Sequence, residues 1–322
     1  MSKSSDPPVV LLHRPASLNF MDELLTRNFQ IVKTHTSSDP IPNSLSSQAA
    51  LARGFVNIGL LPVTEELLSK LPSLQIIVLT SVGVDHIDLA ACKRRGVVVT
   101  NAGDAFSEDV ADTAVGLLIS VLRRIPAADR YVRSGNWVDS GDFILGSKVS
   151  GKRVGIVGLG SIGSHVARRL EPFGCIISYH SRSQKPDTTF RYYPDILSLA
   201  AENEVLVLCC SLTDKTRHIV NREVMESLGK DGVIINVGRG GLIDEKEMVK
   251  CLVQGVIGGA GLDVFEKEPV VPEELIGLDN IVLSPHSAMA TAGSLNNVGE
   301  VAFANLKAFF SNQPLISPVQ LD

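Results

Sequence analysis

Gly158-Leu159-Gly160-Ser161-Ile162-Gly163 stands directly behind a short apolar run, Arg153-Val154-Gly155-Ile156-Val157. Ahead of it, Val166, Leu170 and Phe173 recur at helical spacing. Strand, glycine turn and helix form the context in which G-x-G-x-x-G binds a dinucleotide. Gly158 lets the chain turn, Gly160 lets backbone approach a pyrophosphate, and Gly163 lets helix and strand pack closely. The phosphates would meet the N–H groups of Ser161, Ile162 and the rest of the first helical turn. The next apolar run, Cys175 to Tyr179, should end in an Asp or Glu if the ribose carries a free 2′-hydroxyl. It is followed by His180-Ser181-Arg182-Ser183 instead. Ser181, Arg182 and Ser183 suit a 2′-phosphate, which Arg182 can pair through its fork of donors. The expectation is NADPH over NADH; Arg182 as a solvated loop cation is the bland alternative.

Three later segments each put a reactive side chain just past an apolar run. Val233 to Asn236 leads to Val237-Gly238-Arg239-Gly240, Gly261-Leu262-Asp263 leads to Glu268-Pro269, and Ile281-Val282-Leu283 leads to Ser284-Pro285-His286. In a doubly wound sheet this is the carboxyl end of a strand, where ligands bind. An Arg, a Glu and a His beside a nicotinamide suit reduction of a 2-oxo acid. Arg239 can hold the carboxylate and the adjacent carbonyl. His286 can protonate the carbonyl oxygen as hydride reaches C2, and Glu268 can orient the imidazole and stabilise its charged form. Singly, Glu268 reads equally as a surface acid, which is how Glu266 reads, and His286 as a satisfied loop histidine. Together they point to catalysis. The other six histidines read as structural, His165 on an exposed helix face and His86 near enough to the Ser81–Gly83 turn to support it.

The elements that must carry these groups alternate between strand and helix. Strands are expected at Val9 to Leu12, Phe29 to Val32, Leu74 to Leu79 and Val97 to Val99, with helices at Met21 to Arg27, Thr64 to Leu71 and Leu89 to Arg94. A long helix opens at Ser107-Glu108-Asp109, with Ser107 as its cap, and Pro126 ends it. From Tyr131 to Ser150 the chain is rich in Gly, Ser and Asp and reads as an exposed arm or linker, whose Trp137 and Phe143 suggest burial against something, a second subunit being one candidate. A second alternation follows, with strands at Val154–Val157, Ile176–Tyr179, Val205–Cys209, Val233–Asn236, Ala260–Asp263 and Ile281–Leu283, and a last helix over Ala292 to Phe310. The pattern is α/β with parallel sheets.

At 322 residues the chain has length for two domains. Hydrophobic residues make up 44% and mean hydropathy is +0.19, enough for two cores. No apolar run approaches the ~18 residues that span a bilayer. The N-terminal Met1 to Pro8 does not read as a signal peptide, nor Ser317 to Asp322 as a peroxisomal or reticulum address. Five cysteines without a C-x-x-C suggest reduced thiols in the cytoplasm and argue against a disulfide framework or a metal site. A net charge of −5 with no long basic run argues against nucleic acid.

Ser81-Val82-Gly83-Val84-Asp85, Asp109 to Ala114, Gly158 to Gly163, Asn236 to Gly240, Gly261 to Pro269 and Ser284-Pro285-His286 run in order along nearly the whole chain. In these stretches it resembles the D-isomer-specific 2-hydroxyacid dehydrogenase family. Within the family it is similar to plant NADPH-dependent members that reduce hydroxypyruvate, glyoxylate or hydroxyphenylpyruvate. The resemblance implies two doubly wound domains, a Rossmann-type cofactor domain over 105–288 inserted into a flavodoxin-like substrate domain of 1–104 plus 289–322. It implies a catalytic Arg239, Glu268 and His286, with Ser81 in the substrate turn and backbone N–H groups of Val82 and Gly83 on the substrate carboxylate. It places Asp263 near the nicotinamide amide, puts Cys210, Thr216, Val237 and Gly238 along the cofactor, and joins two subunits through the arm near 131–150. The chain departs from the family at Ala288, where a Gly is usual, so an added methyl is expected beside the nicotinamide. The expected activity is NADPH-dependent reduction of hydroxypyruvate and glyoxylate. The same-fold alternatives are reduction of 4-hydroxyphenylpyruvate, and a nucleotide-sensing corepressor without turnover.

Overall fold

The computed structural model describes residues 6–15, 18–35, 41 and 46–321. Met1 to Ser5 and Asp322, on which the readings of the two ends partly rest, lie outside the described residues. The chain divides into two compact units, Met1–Phe106 with Thr291–Asp322, and Ser107–Ala290.

The first unit holds β1 (Val9–Arg14), β2 (Gln30–His35), β3 (Gly54–Asn57), β4 (Ile76–Leu79) and β5 (Val98–Thr100). All pair in parallel in the order β2-β1-β3-β4-β5, the flavodoxin-like arrangement. Successive side chains point to opposite faces of a strand, and both faces are covered here. Leu11, Phe55, Ile77 and Leu79 meet Leu67, Leu68 and Ala91 on one side. Val10, Val56, Ile76 and Val78 meet Leu25, Ala302 and Leu306 on the other. The helix Ala292–Phe310 supplies that second cover and starts at Thr291, whose side chain accepts from the Ser294 N–H. No strand is expected from the sequence between Val32 and Leu74, so β3 is a correction. Its apolar pair Phe55-Val56 is too short to show a period. Gly54 is there because a Cβ would lie 3.2 Å from both Leu306 and Val10.

The second unit holds β6 (Arg153–Val157), β7 (Ile176–His180), β8 (Arg191–Tyr193), β9 (Val205–Leu208), β10 (Val233–Asn236), β11 (Gly259–Leu262) and β12 (Ile281–Leu283). The order is β12-β11-β10-β9-β6-β7-β8, again parallel throughout. Counted from β6 this contains the Rossmann order 3-2-1-4-5-6, and the strand order reverses between β6 and β9. β9 and β10 are buried along their whole length, which is why Val205 to Leu208 and Val233 to Ile235 read as unbroken apolar runs. Two helix-covered parallel sheets bear out the α/β fold class.

Three local expectations need correction. Ser107 is the first residue of the helix Ser107–Leu122, and its buried hydroxyl has no hydrogen-bond partner among the described residues, so it does not cap. That helix stops at Leu122; Arg124 then turns left-handed, and Pro126 opens the next helix, Ile125–Arg133. Pro suits a first turn, where its missing N–H costs nothing. The arm is partly helical (Asn136–Ser140), and Phe143 packs on Tyr131 of its own chain, ring centroids 5.1 Å apart. No described helix is long and apolar enough to cross a membrane.

The helix Ser107–Leu122 lies close on β11. A Cβ on Gly261 would come within 2.8 Å of Ile235 and 3.0 Å of Leu117. Gly261→Ala should therefore destabilise the second unit by about 1–3 kcal/mol, the usual cost of overpacking. Urea denaturation checks this, and an unchanged midpoint would contradict the close-packing account.

Candidate active site

The glycine turn leaves β6 at the point where the strand order reverses. Gly158 has φ +97°, and a Cβ there would lie 2.7 Å from the Cys210 backbone. A Cβ on Gly163 would lie 2.2 Å from the Gly158 carbonyl oxygen. A Cβ on Gly160 would meet nothing within 4 Å. Gly158 and Gly163 are thus demanded by the protein's own packing, while Gly160 faces open space that a ligand can use. Gly160 precedes the helix Ser161–Leu170 without a side-chain cap, so the first-turn N–H groups of Ser161, Ile162 and Gly163 carry the positive end of the helix dipole uncapped by side chains.

At the end of β7, Ser181 donates to the Ser183 carbonyl at 2.8 Å, the Lys185 N–H donates to the buried Tyr179 hydroxyl at 2.8 Å, and the Tyr192 hydroxyl bonds Ser181 O at 3.4 Å. Two tyrosines therefore hold the Arg182 turn from below. Arg182 itself is exposed and pairs with no carboxylate among the described residues. Opposite Gly158, the Thr216 hydroxyl donates to Ser211 O at 2.7 Å and fixes the loop after Cys210. Burial pushes the Cys210 thiol up to about 11 and raises Cys209 further, which favours the protonated thiol at both.

His286 and Glu268 meet. His286 Nδ1 lies 2.6 Å from Glu268 Oε2, and Phe265 N–H donates to Glu268 Oε1 at 3.0 Å. The two side chains are 31% and 29% exposed, open enough for a ligand to reach the ring. Burial acts to raise the Glu268 carboxyl. The bonds from His286 and Phe265 N–H, with the charges of His286 and Arg239, outweigh burial and hold it below the ordinary carboxylate value. Arg239 is thus within electrostatic reach of Glu268, its Nη1 donating to Gly238 O at 2.9 Å.

The sequence assigned Asn236 no role, and the surroundings of Asp263, Ala288, Glu266 and His165 are what the structure adds. Asn236 is fully buried; its amide donates to Arg239 O at 2.9 Å and accepts from Gly238 N–H at 3.1 Å. It pins the Val237–Arg239 turn, and the only signal for it was an Asn ending an apolar run. Asp263 is 1% exposed. Its two oxygens accept the N–H groups of Ser287 and Ala288 at 2.9 and 3.1 Å, so it fixes the residues that follow His286. Ala288 is buried, its φ is not positive, and its carbonyl accepts from Thr113. Alanine therefore meets no backbone penalty there. Glu266 is not a free surface acid: it lies 2.7 Å from His218 Nε2. His165 is not on an open face either, since Arg168 and Arg169 approach its Nδ1 at 3.2 Å.

In the first unit, the turn Ser81–Gly83 follows β4. Ser81 donates to Gly83 O at 2.8 Å, Asn101 donates to Val82 O at 2.9 Å, and Ala102 N–H donates to Ser81 O at 2.9 Å. All three carbonyls are engaged, which fixes the peptide planes.

A family model described as D-isomer specific 2-hydroxyacid dehydrogenase, NAD binding domain, matches residues 115–288. A glyoxylate/hydroxypyruvate reductase of Arabidopsis thaliana is 76% identical over 100% of this chain and 100% of its own. A hydroxyphenylpyruvate reductase of Plectranthus scutellarioides is 47% identical, over 96% of this chain and 98% of its own. Among solved structures, an NADPH-dependent glyoxylate/hydroxypyruvate reductase of Sinorhizobium meliloti, in complex with NADP and malonate, gives a TM-score of 0.91 at 37% identity and covers 98% of each chain.

The lowered Glu268 carboxyl has a pH consequence. A carboxyl depressed in the folded state contributes stability above its unfolded value of about 4.3, and that contribution is lost as pH falls through the lower folded value. The stability difference between the wild type and Glu268→Gln should therefore shrink between about pH 5 and pH 3. Denaturation at stepped pH measures it; a difference constant across that range would remove the His286–Glu268 bond as the cause.

Proposed function

Because this chain belongs to the D-isomer-specific 2-hydroxyacid dehydrogenase family, we propose that it is an NADPH-dependent reductase converting glyoxylate and hydroxypyruvate to the corresponding 2-hydroxy acids. The observation that carries this is the His286–Glu268 pair at 2.6 Å, with Arg239 alongside, at the carboxyl edge of a sheet whose glycine turn leaves Gly160 open. The residues fit a dinucleotide with a 2′-phosphate. Gly158, Gly160, Ser161, Ile162 and Gly163 would hold the pyrophosphate; Ser181, Arg182 and Ser183 would hold the 2′-phosphate; Cys210, Thr216, Val237, Gly238, Asp263 and Ala288 would flank the rest. When bound, NADPH supplies the hydride.

Arg239 clamps the substrate carboxylate and polarises the C2 carbonyl with the same planar fork. We assign further carboxylate binding to the N–H groups of Val82 and Gly83, beside Ser81. Glu268 takes the Nδ1 side of the imidazole, which leaves Nε2 to deliver a proton to the substrate oxygen as hydride arrives at C2. One hydride and one proton thus add across the C=O bond, and the proton lost by His286 is regained from solvent. The first unit acts as the substrate domain and the second as the cofactor domain.

Initial rates with glyoxylate, hydroxypyruvate and 4-hydroxyphenylpyruvate, each with NADPH and NADH, test the reading. NADPH should be preferred, Arg182→Ala should erode that preference, and His286→Ala should lower kcat by about 10²–10⁴. Absence of turnover on all three acids with NADPH bound would favour the sensing alternative, and a lead for the aryl acid would reassign the substrate.

We also assign this chain to a cytoplasmic homodimer. Its five cysteines are all free, as in a reducing compartment. Trp137, Val138, Ile144 and Leu145 are 62%, 90%, 58% and 93% exposed, an apolar surface of the kind subunits cover. Sedimentation at micromolar concentration should give twice the chain mass, and Trp137→Glu with Leu145→Glu should give the monomer. A monomeric wild type would overturn the assignment.

A further inference from the structure

A second His–Glu pair lies behind the first. His218 has φ +52°, a left-handed backbone unusual for a residue with a side chain. Such a conformation is strained and persists only where surrounding contacts impose it. Here they do so from two sides. The His218 N–H donates to the Gly241 carbonyl at 2.8 Å, and Nε2 of its ring lies 2.7 Å from Glu266 Oε1. Gly241 is two residues from Arg239; Glu266 is two residues from Glu268. The Glu266 N–H in turn donates to Glu245 Oε2 at 3.0 Å, and Glu245 is a buried acid.

The two segments that His218 ties also touch directly. A Cβ on Gly240 would lie 1.9 Å from the Phe265 carbonyl carbon and 2.3 Å from the Glu266 nitrogen. The stretch behind them is locked: Val220 N–H donates to Leu242 O, and Asp244 N–H donates to Val220 O, both at 3.0 Å. Phe265, the residue before Glu266, donates the N–H that seats Glu268. A shift of Glu266 therefore moves both the peptide that holds Glu268 and Glu268 itself.

Resting on the reductase reading above, we propose that His218 is a positioning residue for the reaction: by bonding the Arg239 segment through its backbone and Glu266 through its ring, it sets Glu268 in register with His286. Its effect is on alignment, where displacements near 1 Å in a catalytic constellation can cost about a hundredfold in rate.

The test uses the full-length chain with NADPH and glyoxylate. Glu266→Ala cuts the ring tie alone and leaves both backbone bonds in place; His218→Ala cuts the same tie from the other end, and His218→Gln keeps a donor. Each alanine variant should lower kcat about tenfold with KM for glyoxylate changed less and the Kd for NADPH, from fluorescence titration, within about twofold of wild type. The double alanine variant should be no slower than either single, since both remove one contact. His218→Gln should recover part of the loss. In a Glu268→Gln background, Glu266→Ala should cost less than about twofold, because the group being positioned is already gone. Wild-type kcat in Glu266→Ala, a full loss persisting in the Glu268→Gln background, or a loss matched by weaker NADPH binding would overturn the proposal. A wild type without turnover would instead sink the reductase reading on which it rests.

Discussion

The parallel register of β10, β11 and β12 is the constraint on which the site depends. Asn236 pairs with Leu262, and Leu262 with Leu283, so three strands end level at one edge. Arg239, Asp263 and His286 follow within three residues of those ends, and Glu268 six residues past Leu262. A slip of one residue would exchange each strand's two buried faces, and the face of β11 against the helix Ser107–Leu122 has room only for Gly261. Hydrophobic burial of Ile234, Ile235, Ala260 and Leu262 therefore positions groups that make no hydrophobic contact of their own. Gly259 and Gly261 let the helix Ser107–Leu122 press on the sheet, with room for no added carbon.

Beyond the strand ends, polar groups take over. A buried polar or charged group is costly unless its bonds are made. Asn236, Asp263 and Glu245 meet that demand with backbone N–H groups of the loops that carry Arg239, His286 and Glu268. Each loop is consequently anchored to the sheet core rather than left to solvent. The left-handed backbones of His218 and His286 fit this account: both are imposed by bonds on either side, and both histidines face a glutamate. The nucleotide end is built the same way, with the Tyr179 and Tyr192 hydroxyls holding the turn that presents Arg182. β7 runs on into Ser181-Arg182-Ser183 rather than into an Asp or Glu, and that local choice is the one that suits a 2′-phosphate.

Much of this was legible in the sequence because its signals are local. Val233 to Ile235 and Ile281 to Leu283 are unbroken apolar runs and Ala292 to Phe310 carries a helical stripe, and the structure places strands and a helix there. The glycine turn carried its own context, and an Arg, a Glu and a His each stand just past an apolar run. β3 was missed because two apolar residues between a Gly and an Asn have no measurable period. Pro126 was read as a stop because a proline ends one helix as readily as it opens another, and only the left-handed Arg124 decides between them.

The sequence by itself determined the apolar periods, the strand, glycine turn and helix around Gly158 to Gly163, and the types of side chain that follow each strand. Those depend on neighbours within about four residues, where backbone geometry fixes who meets whom. Only the tertiary structure decided the pairings at long range. Glu266 looked like a solvated acid until packing brought His218, 48 residues earlier in the chain, to 2.7 Å. Asp263 reached the N–H groups of residues 24 and 25 positions later. No spacing rule encodes such contacts, because they follow from how two loops leave a sheet whose order is set by the burial of everything else.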